Sequence, residues 1–180
     1  VKWVQVGIDG EASFEYSGES VSIYSEGNVI SVGAAYNDGN GSYSGHVRVF
    51  RLDSSKNWVQ VGSDIDGEGI FYLSGASVSL SSDGNVVAIG AYYNDVNGYA
   101  SGHVRVFRLN SSKNWVQVGS DIDGEASWDH SGWSVLLSMD GNVVAIGATS
   151  NLATREDSGH VRVFRLDSSK NWVQVGSDID

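Results

Sequence analysis

The hydrophobic positions along the chain fall in short runs with the spacing of β-strands. Residues 77–119 hold four such runs: SVSLS at 77–81, NVVAIGA at 85–91, HVRVFRL at 103–109 and WVQVG at 115–119. Each run is rich in β-branched or aromatic residues and is bounded by turn-forming residues. The second run is almost continuously apolar, as in a strand covered on both faces. No run has helical periodicity, so the pattern predicts four consecutive strands.

The turn between the first two strands carries its own signal. Asp83 is followed by Gly84, and an Asp-Gly pair between two apolar runs is among the strongest short signals for a β-hairpin. The same turn recurs as DG at 140–141 and, in a weaker form, as EG at 26–27. We therefore expect the first and second strands of each set to pair in an antiparallel hairpin.

These strands belong to a unit that is repeated along the chain. The segment GHVRVFRL begins at residues 45, 102 and 159, so that consecutive copies lie 57 residues apart. Each copy is followed by NWVQVG, and a fourth, related segment contains Trp3. The sequence therefore predicts a single repeat domain over residues 1–180. Its units span about 8–62, 63–119 and 120–176, with residues 1–7 as the last strand of a preceding blade.

Four short antiparallel strands in each tandem unit are typical of β-propeller blades. The predicted fold is all-β, with three four-stranded antiparallel blades plus one extra strand. Three blades turn through less than a full circle, which leaves an apolar face open at each end, and such faces require a partner. Either further blades of a longer chain or copies of the chain itself would close the propeller. The longer chain is the preferred interpretation.

The order of short motifs within the unit resembles the FG-GAP repeat of integrin-α-type propellers. SGxSVSLSSDGNVVAIGA followed by SGHVRVFRL is similar to the approximate family pattern FGxSV, DG, VGAP and GxVYVY, and the likeness extends over all three units. It implies an extracellular or cell-surface location and a structural or adhesive role. The family often carries a calcium loop, DxDxDG, between the first two strands, whereas this chain has only SSDGN at 81–85. The family's calcium site is therefore not expected here.

The composition narrows the range of partners. The 180 residues include 22 acidic side chains against 11 Lys and Arg, for a net charge of -11. A protein that binds nucleic acid or an anionic membrane surface needs a basic patch, so neither partner is expected. No apolar run reaches the roughly 18 to 20 residues that cross a bilayer, so no membrane insertion is expected. The chain has no cysteine, which excludes disulfides and thiol chemistry.

Two kinds of connection differ between the otherwise similar units. One is the link from a fourth strand to the next first strand, and the other is the loop between the second and third strands. In an up-and-down blade these two connections emerge on the same rim, and the other two turns form the opposite rim. Loops on a rigid scaffold are where binding sites concentrate, so we expect a one-sided binding surface. The links are residues 11–20, 68–77 and 125–134, and the loops are residues 35–44, 92–101 and 149–158.

Aromatic residues are frequent in these variable segments. Flat aromatic side chains bind sugars or form protein hot spots with little loss of conformational entropy. The alternative is that the aromatics of the links pack as wedges between adjacent blades, where they would be buried. The predicted ligand-binding residues are Phe14, Tyr16, Tyr36, Tyr43, Phe71, Tyr72, Tyr93, Tyr99, Trp128 and Trp133.

Metal binding and glycosylation are further candidates in the loops. Asn94, Asp95 and Asn97 supply the oxygen ligands that Ca²⁺ prefers, but Asn and Asp before Gly are also ordinary turn formers. The third unit lacks this element, so no cofactor is expected, with a calcium ion as the alternative. Asn40 and Asn110 each begin an N-x-S sequon and would accept a glycan in a eukaryotic secretory pathway.

Catalysis finds little support in the sequence. Asp129, His130 and Ser131 have the residue types of a nucleophilic triad, but neighbours in sequence are not thereby oriented for catalysis. The other three histidines begin the same strand in every unit, which indicates a structural role. The sequence predicts a non-enzymatic module that binds a protein or glycan through one rim. A carbohydrate-binding lectin is the alternative, and a hydrolase is the third possibility.

Two arginines recur in every unit beside acidic DxD segments. They would form either a basic stripe or ion pairs between blades, and ion pairs are the preferred interpretation. These residues are Arg48, Arg51, Arg105, Arg108, Arg162 and Arg165.

Overall fold

The structure is a computed structural model that describes residues 14–24, 26–150 and 158–179. The predicted extra strand at residues 1–7, with Trp3, lies outside these residues. The first sheet contains β1 (Ser20–Ile23), β2 (Val29–Ala34), β3 (His46–Leu52), β4 (Trp58–Gln60) and β5 (Ile65–Asp66). The second contains β6 (Ser77–Leu80), β7 (Val86–Ala91), β8 (His103–Leu109), β9 (Trp115–Gln117) and β10 (Ile122–Asp123). The third contains β11 (Ser134–Leu137), β12 (Val143–Ala148), β13 (His160–Leu166) and β14 (Trp172–Gln174).

Each sheet contains the four antiparallel strands that the repeat predicts. In the second sheet β6 pairs with β7, β7 with β8, and β8 with β9. The predicted hairpin turn is also present, because Ser81 N–H donates to Val86 O at 2.9 Å and Gly84 has a φ of 64°. The fold class, three four-stranded antiparallel blades, is confirmed. The described part of the chain contains no helix that could span a membrane.

Two short strands, β5 and β10, are not evident from the repeat pattern. They pair with β3 and β8, the strands with which β4 and β9 also pair. After Gln60 the chain turns through Gly62, at a φ of 76°, before β5 rejoins β3. Gln60 Nε2 donates to Asp64 Oδ1 at 2.6 Å across this interruption. The predicted WVQVG strand is therefore only the first part of a kinked outer strand.

Burial depends on the neighbours of a blade more than on its sequence. β7 and β12 have the same sequence, VVAIGA. All six residues of β7 are buried, as its continuous apolar run predicts, whereas β12 alternates between buried and half-buried residues. β7 lies in the middle sheet and is covered on both faces, while β12 lies in the last described sheet and is covered on one.

The first strands of the three sheets lie side by side, because β6 contacts both β1 and β11. We call the boundary between the first and second sheets the first seam, and the next boundary the second seam. At the first seam Ser20 Oγ donates to Gly75 O at 2.6 Å, and a Cβ on Gly33 would lie 2.0 Å from that carbonyl oxygen. The equivalent distances at the second seam are 2.7 Å and 2.1 Å. Only glycine permits this approach.

Each seam also holds an apolar core built from both of its sheets. At the first seam Val47 and Ile65 of the first sheet pack with Val78, Ile89 and Phe107 of the second. Burying an aliphatic or aromatic side chain of this size stabilises a fold by roughly 1.5 to 3 kcal/mol. The second seam repeats the arrangement with Val104, Ile122, Leu137, Ile146 and Phe164.

Tryptophans close the outer edge of both seams. Trp115 Nε1 donates to Val61 O at 2.8 Å across the first seam, and Trp172 Nε1 donates to Val118 O at 2.8 Å across the second. Each ring also packs against the apolar core of its seam. The recurring tryptophan of NWVQVG therefore joins consecutive blades.

Two of the recurring arginines, Arg105 and Arg162, form the predicted ion pairs across the seams, with a glutamate as the acid. Arg51 and Arg108 instead donate to the side-chain oxygens of Asn85 and Asn142 in the next blade, at 3.3 Å and 3.4 Å. Arg105 Nη2 donates to Asp66 O at 2.7 Å, and Arg105 Nη1 lies 3.2 Å from Glu68 Oε1. Arg162 makes the equivalent contacts at the second seam, at 2.7 Å and 3.5 Å. The side chain that reaches the guanidinium thus follows the DxD segment, while the aspartate contributes its backbone carbonyl.

The recurring histidines are structural, in agreement with their fixed place in the repeat. His103 is buried at the start of β8, and its Nδ1 lies 3.5 Å from Asp121 Oδ2. Hydrogen bonding to His103 lowers the pKa of the Asp121 carboxyl, burial opposes the shift, and a second hydrogen bond from Gln117 supports it. His46 and Asp64 form the equivalent pair in the first sheet at 3.6 Å.

Replacing Trp115 with Phe should lower the free energy of unfolding by about 1 kcal/mol, because the Val61 carbonyl loses its donor across the first seam. Guanidinium unfolding followed by circular dichroism measures the change. Trp133→Phe is the control, since Trp133 is 51% exposed and its change should stay within about 0.5 kcal/mol. Equal effects of the two substitutions would contradict this role of Trp115.

Acid should weaken the fold through Asp121. A carboxyl whose pKa is lower in the folded chain than in the unfolded chain stabilises the fold at pH values above its unfolded pKa. This contribution is lost as the pH falls through its folded pKa. We predict that the free energy of unfolding declines as the pH falls below the ordinary Asp value of 3.8, and that Asp121→Asn declines less steeply. Urea unfolding between neutral and acidic pH tests this, and identical slopes would refute it.

Candidate functional site

The two variable connections of the repeat meet on one rim of the array. Phe71 N–H, in the link after the first blade, donates to Ser42 O in that blade's loop at 2.7 Å. Trp128 N–H donates to Tyr99 O at 2.8 Å in the next unit. In both of these units the loop therefore hydrogen-bonds to the link that follows it. Most of the third variable loop, residues 149–158, lies outside the described residues. We call the surface that the loops and links form the variable rim.

The unvarying turns lie together at the other end of the strands. Leu52 N–H, at the end of a third strand, donates to Asn28 O, beside the hairpin turn, at 2.9 Å. The hairpin turns of neighbouring sheets also touch, because Ser82 N–H donates to Met139 O at 2.8 Å. The array thus has one variable and one constant rim, as the comparison of units predicts.

None of the ten predicted ligand-binding aromatics is buried. Phe14 is 84% exposed, and Trp128, at 46%, is still largely open to solvent. Tyr36, Tyr72 and Tyr93 are half-buried. The alternative prediction, that the aromatic residues of the links are buried as wedges between blades, is therefore wrong. The exposed members of the set are Phe14, Tyr16, Tyr43, Phe71, Tyr99, Trp128 and Trp133.

Four of the predicted rings form a first aromatic cluster. Tyr16 and Tyr36 have ring centroids 5.2 Å apart, Tyr36 and Tyr43 are 5.5 Å apart, and Tyr43 and Phe71 are 5.5 Å apart. All three pairs meet edge to face, the geometry that aromatic quadrupoles favour. The side chains come from two links and one loop, which places them in a row along the rim.

A second aromatic cluster surrounds His130. Its ring lies 5.6 Å from Tyr93, 6.0 Å from Tyr92, 6.1 Å from Trp128 and 6.3 Å from Trp133. Tyr99 joins through Trp128, at 4.6 Å. Tyr92 and His130 are absent from the predicted binding set, although each lies in a variable segment beside residues that were included. Their position in the variable segments is the sequence signal that could have added them to the set.

His130 and Tyr92 are neutral near pH 7. Burial lowers the pKa of His130, despite the opposing charge of Asp129, and burial raises the pKa of Tyr92 to about 12. A neutral imidazole and a protonated phenol can each donate or accept a hydrogen bond. This cluster therefore offers aromatic faces together with uncharged polar atoms.

Left-handed backbone holds several of these aromatic residues in place. Phe14, Phe71 and Trp128 occupy the same position in three links and have φ values of 67°, 64° and 70°. Tyr16 and His130, two positions further on, have φ values of 51° and 56°. Bulky residues adopt this region at a cost of roughly 1 to 2 kcal/mol each. The same conformation occurs at the buried Leu73 and at Lys56, Lys113 and Lys170 in the unvarying turns, so it belongs to the repeat and not to the aromatic residues alone.

Open clefts lie between the rings. One of about 520 Å³ is lined by Gly69, Ile70, Phe71, Tyr72, Tyr93, Asp95 and Tyr99. A smaller one, of about 280 Å³, is lined by residues of both aromatic clusters and joins them. A third, of about 620 Å³, lies at Tyr16 and Tyr36. The two clusters and the clefts form one continuous surface, which we call the aromatic band.

The proposed calcium ligands already serve the turn in which they lie. Asn94 is fully buried and its Oδ1 accepts from Val96 N–H at 2.9 Å, while Asp95 Oδ1 accepts from Ala100 N–H at 2.7 Å. Asn97 Nδ2 donates to the Gly124 carbonyl at 2.7 Å. These bonds close the loop and attach it to the following link. The arrangement accounts for the NDxNG element as turn chemistry.

The two sequons differ in their surroundings. Asn40 Nδ2, the atom that a glycan would modify, donates to Gly67 O at 2.7 Å and so attaches a loop to the next link. Asn110 is exposed, and only its Oδ1 is engaged, by the N–H groups of Ser112 and Asn114 at 2.9 Å. The structure therefore leaves Asn110 more accessible to modification than Asn40.

The side chains of the sequence Asp129-His130-Ser131 do not converge. Asp129 Oδ2 accepts from Ala126 N–H at 2.7 Å and closes a turn of the link. The His130 ring lies in the second aromatic cluster, and Ser131 is buried in a backbone bridge to Gly102. Each residue thus has a separate structural place, and the geometry of a catalytic triad is not present among them.

Groups of histidine and acid recur beneath the variable rim. His103, Asp121 and Glu68 have potential ligand atoms within 4.8 Å of one another, and Glu125, His160 and Asp178 form the equivalent group in the third blade. In the first blade a related group consists of His46, Asp64 and Asp66. Glu68, however, already faces the Arg105 guanidinium at 3.2 Å. A neighbouring cation disfavours a bound metal ion, so the group is better explained as part of the seam.

Comparisons with known proteins identify the fold and nothing finer. No family model matches the chain, so its resemblance to FG-GAP repeats stays a prediction. No curated protein matches it either. The structure is similar to a candidate 6-phosphogluconolactonase from Bacteroides uniformis, with a TM-score of 0.55 and 13% identity over 89% of this chain. It is also similar to hydrazine synthase from Kuenenia stuttgartiensis, with a TM-score of 0.52 and 12% identity over 99% of this chain. The chain spans 40% of the length of each.

The strained aromatics should respond unusually to glycine. Glycine is ordinarily less stabilising than alanine, but at Phe71, with a φ of 64°, glycine relieves the left-handed strain and alanine does not. We predict that Phe71→Gly is more stable to urea than Phe71→Ala by about 1 kcal/mol. The reverse order would show that the backbone at this position is not left-handed in solution.

Proposed function

We propose that this chain is a non-enzymatic interaction module that binds a protein or glycan through the aromatic band of its variable rim. One observation carries the proposal: aromatic residues of the variable segments are exposed and in contact with one another along one rim of the described chain. Exposed contiguous apolar surface of this kind marks interaction sites in soluble proteins. An extracellular or cell-surface location is part of the proposal and rests on the resemblance to integrin-type propellers.

Two features support binding over catalysis. The side chains of Asp129, His130 and Ser131 do not converge, and the groups of histidine and acid form part of the seams. The aromatic band, by contrast, needs no rearrangement to receive a ligand, since its rings are already fixed against one another. Aromatic side chains that are rigid before binding lose little entropy on binding.

A lectin is the second candidate, and the cleft of about 520 Å³ favours it. Its walls combine the rings of Phe71, Tyr93 and Tyr99 with the carboxylate of Asp95. An aromatic face packs against the apolar side of a pyranose, and a carboxylate accepts hydrogen bonds from its hydroxyls. Asp95 is held in the wall because its Oδ1 accepts from Ala100 N–H at 2.7 Å.

Binding to arrays of glycans and of extracellular protein domains tests both candidates. For any ligand found, Tyr99→Ala should weaken binding by about tenfold or more, the effect of removing a hot-spot aromatic. Val116→Ala is the matched control, because Val116 is 49% exposed in β9, outside the variable rim, and its change should have no effect. Competition by free sugar would identify a lectin. Equal loss in both variants, or none in either, would refute the proposed surface.

A further inference from the structure

The cleft of about 520 Å³ in the aromatic band lies between two segments that the structure describes throughout. All of its lining residues belong to the link 68–77 or to the loop 92–101. Four of them, Phe71, Tyr72, Tyr93 and Tyr99, contribute aromatic rings, and Asp95 contributes a carboxylate. We call this space the central cleft.

Two of the four rings have no counterpart in the other units of the sequence. Tyr72 stands where the first and third units have Glu15 and Asp129, and Tyr99 stands where the first unit has Ser42. The repeat is therefore built without these tyrosines elsewhere in the chain. Their role is better explained by the central cleft than by the scaffold.

Gly69 makes room for one of these tyrosines. The first and third units have alanine at this position. In the second unit a Cβ on Gly69 would lie 2.6 Å from Cε2 of the Tyr72 ring, which is closer than non-bonded carbon atoms approach. The glycine therefore allows the Tyr72 ring to lie against the backbone of the link. The two residues are matched to each other, and both line the central cleft.

The rings of the central cleft are supported from outside it. Phe71 packs against Tyr43 at 5.5 Å, and Tyr99 packs against Trp128 at 4.6 Å. Among the residues that the structure describes, no ring contact joins two rings of the central cleft. The rings are thus held in position while the space between them stays open to a ligand.

The charge of the central cleft and its surroundings is negative. Asp95 Oδ1 accepts from Ala100 N–H at 2.7 Å, whereas Oδ2 has no partner among the described residues. The described parts of the variable segments contain no lysine or arginine. A surface of one sign attracts ligands of the other, so a cation is the favoured occupant. The acids of these segments are Glu15, Glu19, Asp38, Glu68, Asp95, Glu125 and Asp129.

The chain itself shows how a ring and a carboxylate together hold a cation. The guanidinium carbon of Arg105 lies 5.2 Å from the centroid of the Phe107 ring, and Nη1 of the same group lies 3.2 Å from Glu68 Oε1. Arg162 repeats this arrangement at the second seam. A cation within about 6 Å of an aromatic centroid is attracted to the face of the ring. The central cleft offers the same two groups without a cation between them.

We propose that the central cleft binds an arginine side chain presented by a basic segment of a protein partner. This inference rests on the proposed function, because the central cleft is part of the aromatic band. The planar guanidinium stacks on the rings and donates to Asp95 Oδ2, a combination that a lysine ammonium matches less well. Phe71 and Tyr93 also line the smaller cleft of about 280 Å³, which gives the rest of the segment a continuous surface.

Two peptides of nearly equal shape test the need for charge. Tetra-arginine is charged, whereas tetra-citrulline is neutral, and each is titrated into the 180-residue chain and followed by NMR of the backbone amides. Tetra-arginine should bind at least about tenfold more tightly, with shifts centred on residues 68–77 and 92–101. Equal binding of the two peptides, or no binding of tetra-arginine, would overturn the proposal. Free arginine that binds as tightly as the peptide would overturn a protein partner.

Two substitutions that each remove one negative charge locate the site. Asp95→Asn keeps the acceptor for Ala100 N–H and should fold, but it should weaken tetra-arginine binding about tenfold. Glu26→Gln is the matched control, because Glu26 is exposed in a hairpin turn of the constant rim. At about 0.15 M salt its distant charge is screened, so the affinity should change less than about twofold. Equal losses would reveal general attraction to an acidic chain and would refute the site.

Gly69→Ala tests the shape of the central cleft, since it removes no ring and no charge. It introduces the residue that the third unit has, so it should fold, but its Cβ displaces the Tyr72 ring. We predict that tetra-arginine binds at least about fivefold more weakly to this variant. Unchanged affinity would contradict the central cleft as the binding site.

Failure of this inference and failure of the proposed function give different results. If a ligand from the arrays loses affinity in Tyr99→Ala while tetra-arginine does not bind the parent chain, the aromatic band stands and the preference for arginine is wrong. If Tyr99→Ala changes the affinity of no ligand, tetra-arginine included, both are wrong.

Discussion

The close approach of serine and glycine at the seams is the constraint on which the rest of the structure depends. A serine hydroxyl of one first strand donates to a glycine carbonyl of the next link, and a glycine opposite leaves no room for a Cβ. This contact fixes the distance between consecutive blades. The apolar cores, the tryptophan hydrogen bonds and the arginine contacts all form across the spacing that it sets. Since the links emerge from the same contact, it also determines where the variable rim presents its aromatic residues.

Much of the fold could be predicted because the sequence repeats. Three copies of one unit show which positions are constant, and the constant positions include the seam residues Trp115 and Arg105 with their equivalents. The number of strands alone determines which connections lie on the variable rim, since alternate connections of an up-and-down sheet lie at the same end of its strands. Long-range pairing, which is usually hard to infer from one sequence, is here determined by local hairpins and by repetition.

The remaining features depend on backbone geometry that residue types do not reveal. Nothing in the link sequences indicates that Phe71 and Trp128 adopt left-handed backbone, because bulky residues rarely do so. The two-residue strands β5 and β10 are hidden by the glycine kink that precedes them. His130 suggested a catalytic role only through its sequence neighbours, whereas its ring packs among aromatic rings. Asn94, Asp95 and Asn97 suggested a metal by composition, although their hydrogen bonds close a turn.

The central claim is that some aromatic residues bind the ligand and others stabilise the scaffold. The tryptophans include both kinds and can be observed separately. The chain has six tryptophans; Trp128 and Trp133 belong to the aromatic band, while Trp115 and Trp172 cross the seams. The most direct measurement is ¹⁹F NMR of the chain labelled with fluorotryptophan, titrated with a ligand selected on the arrays. The resonances of Trp128 and Trp133 should shift while those of Trp115 and Trp172 stay in place. Shifts confined to the seam tryptophans would contradict the account.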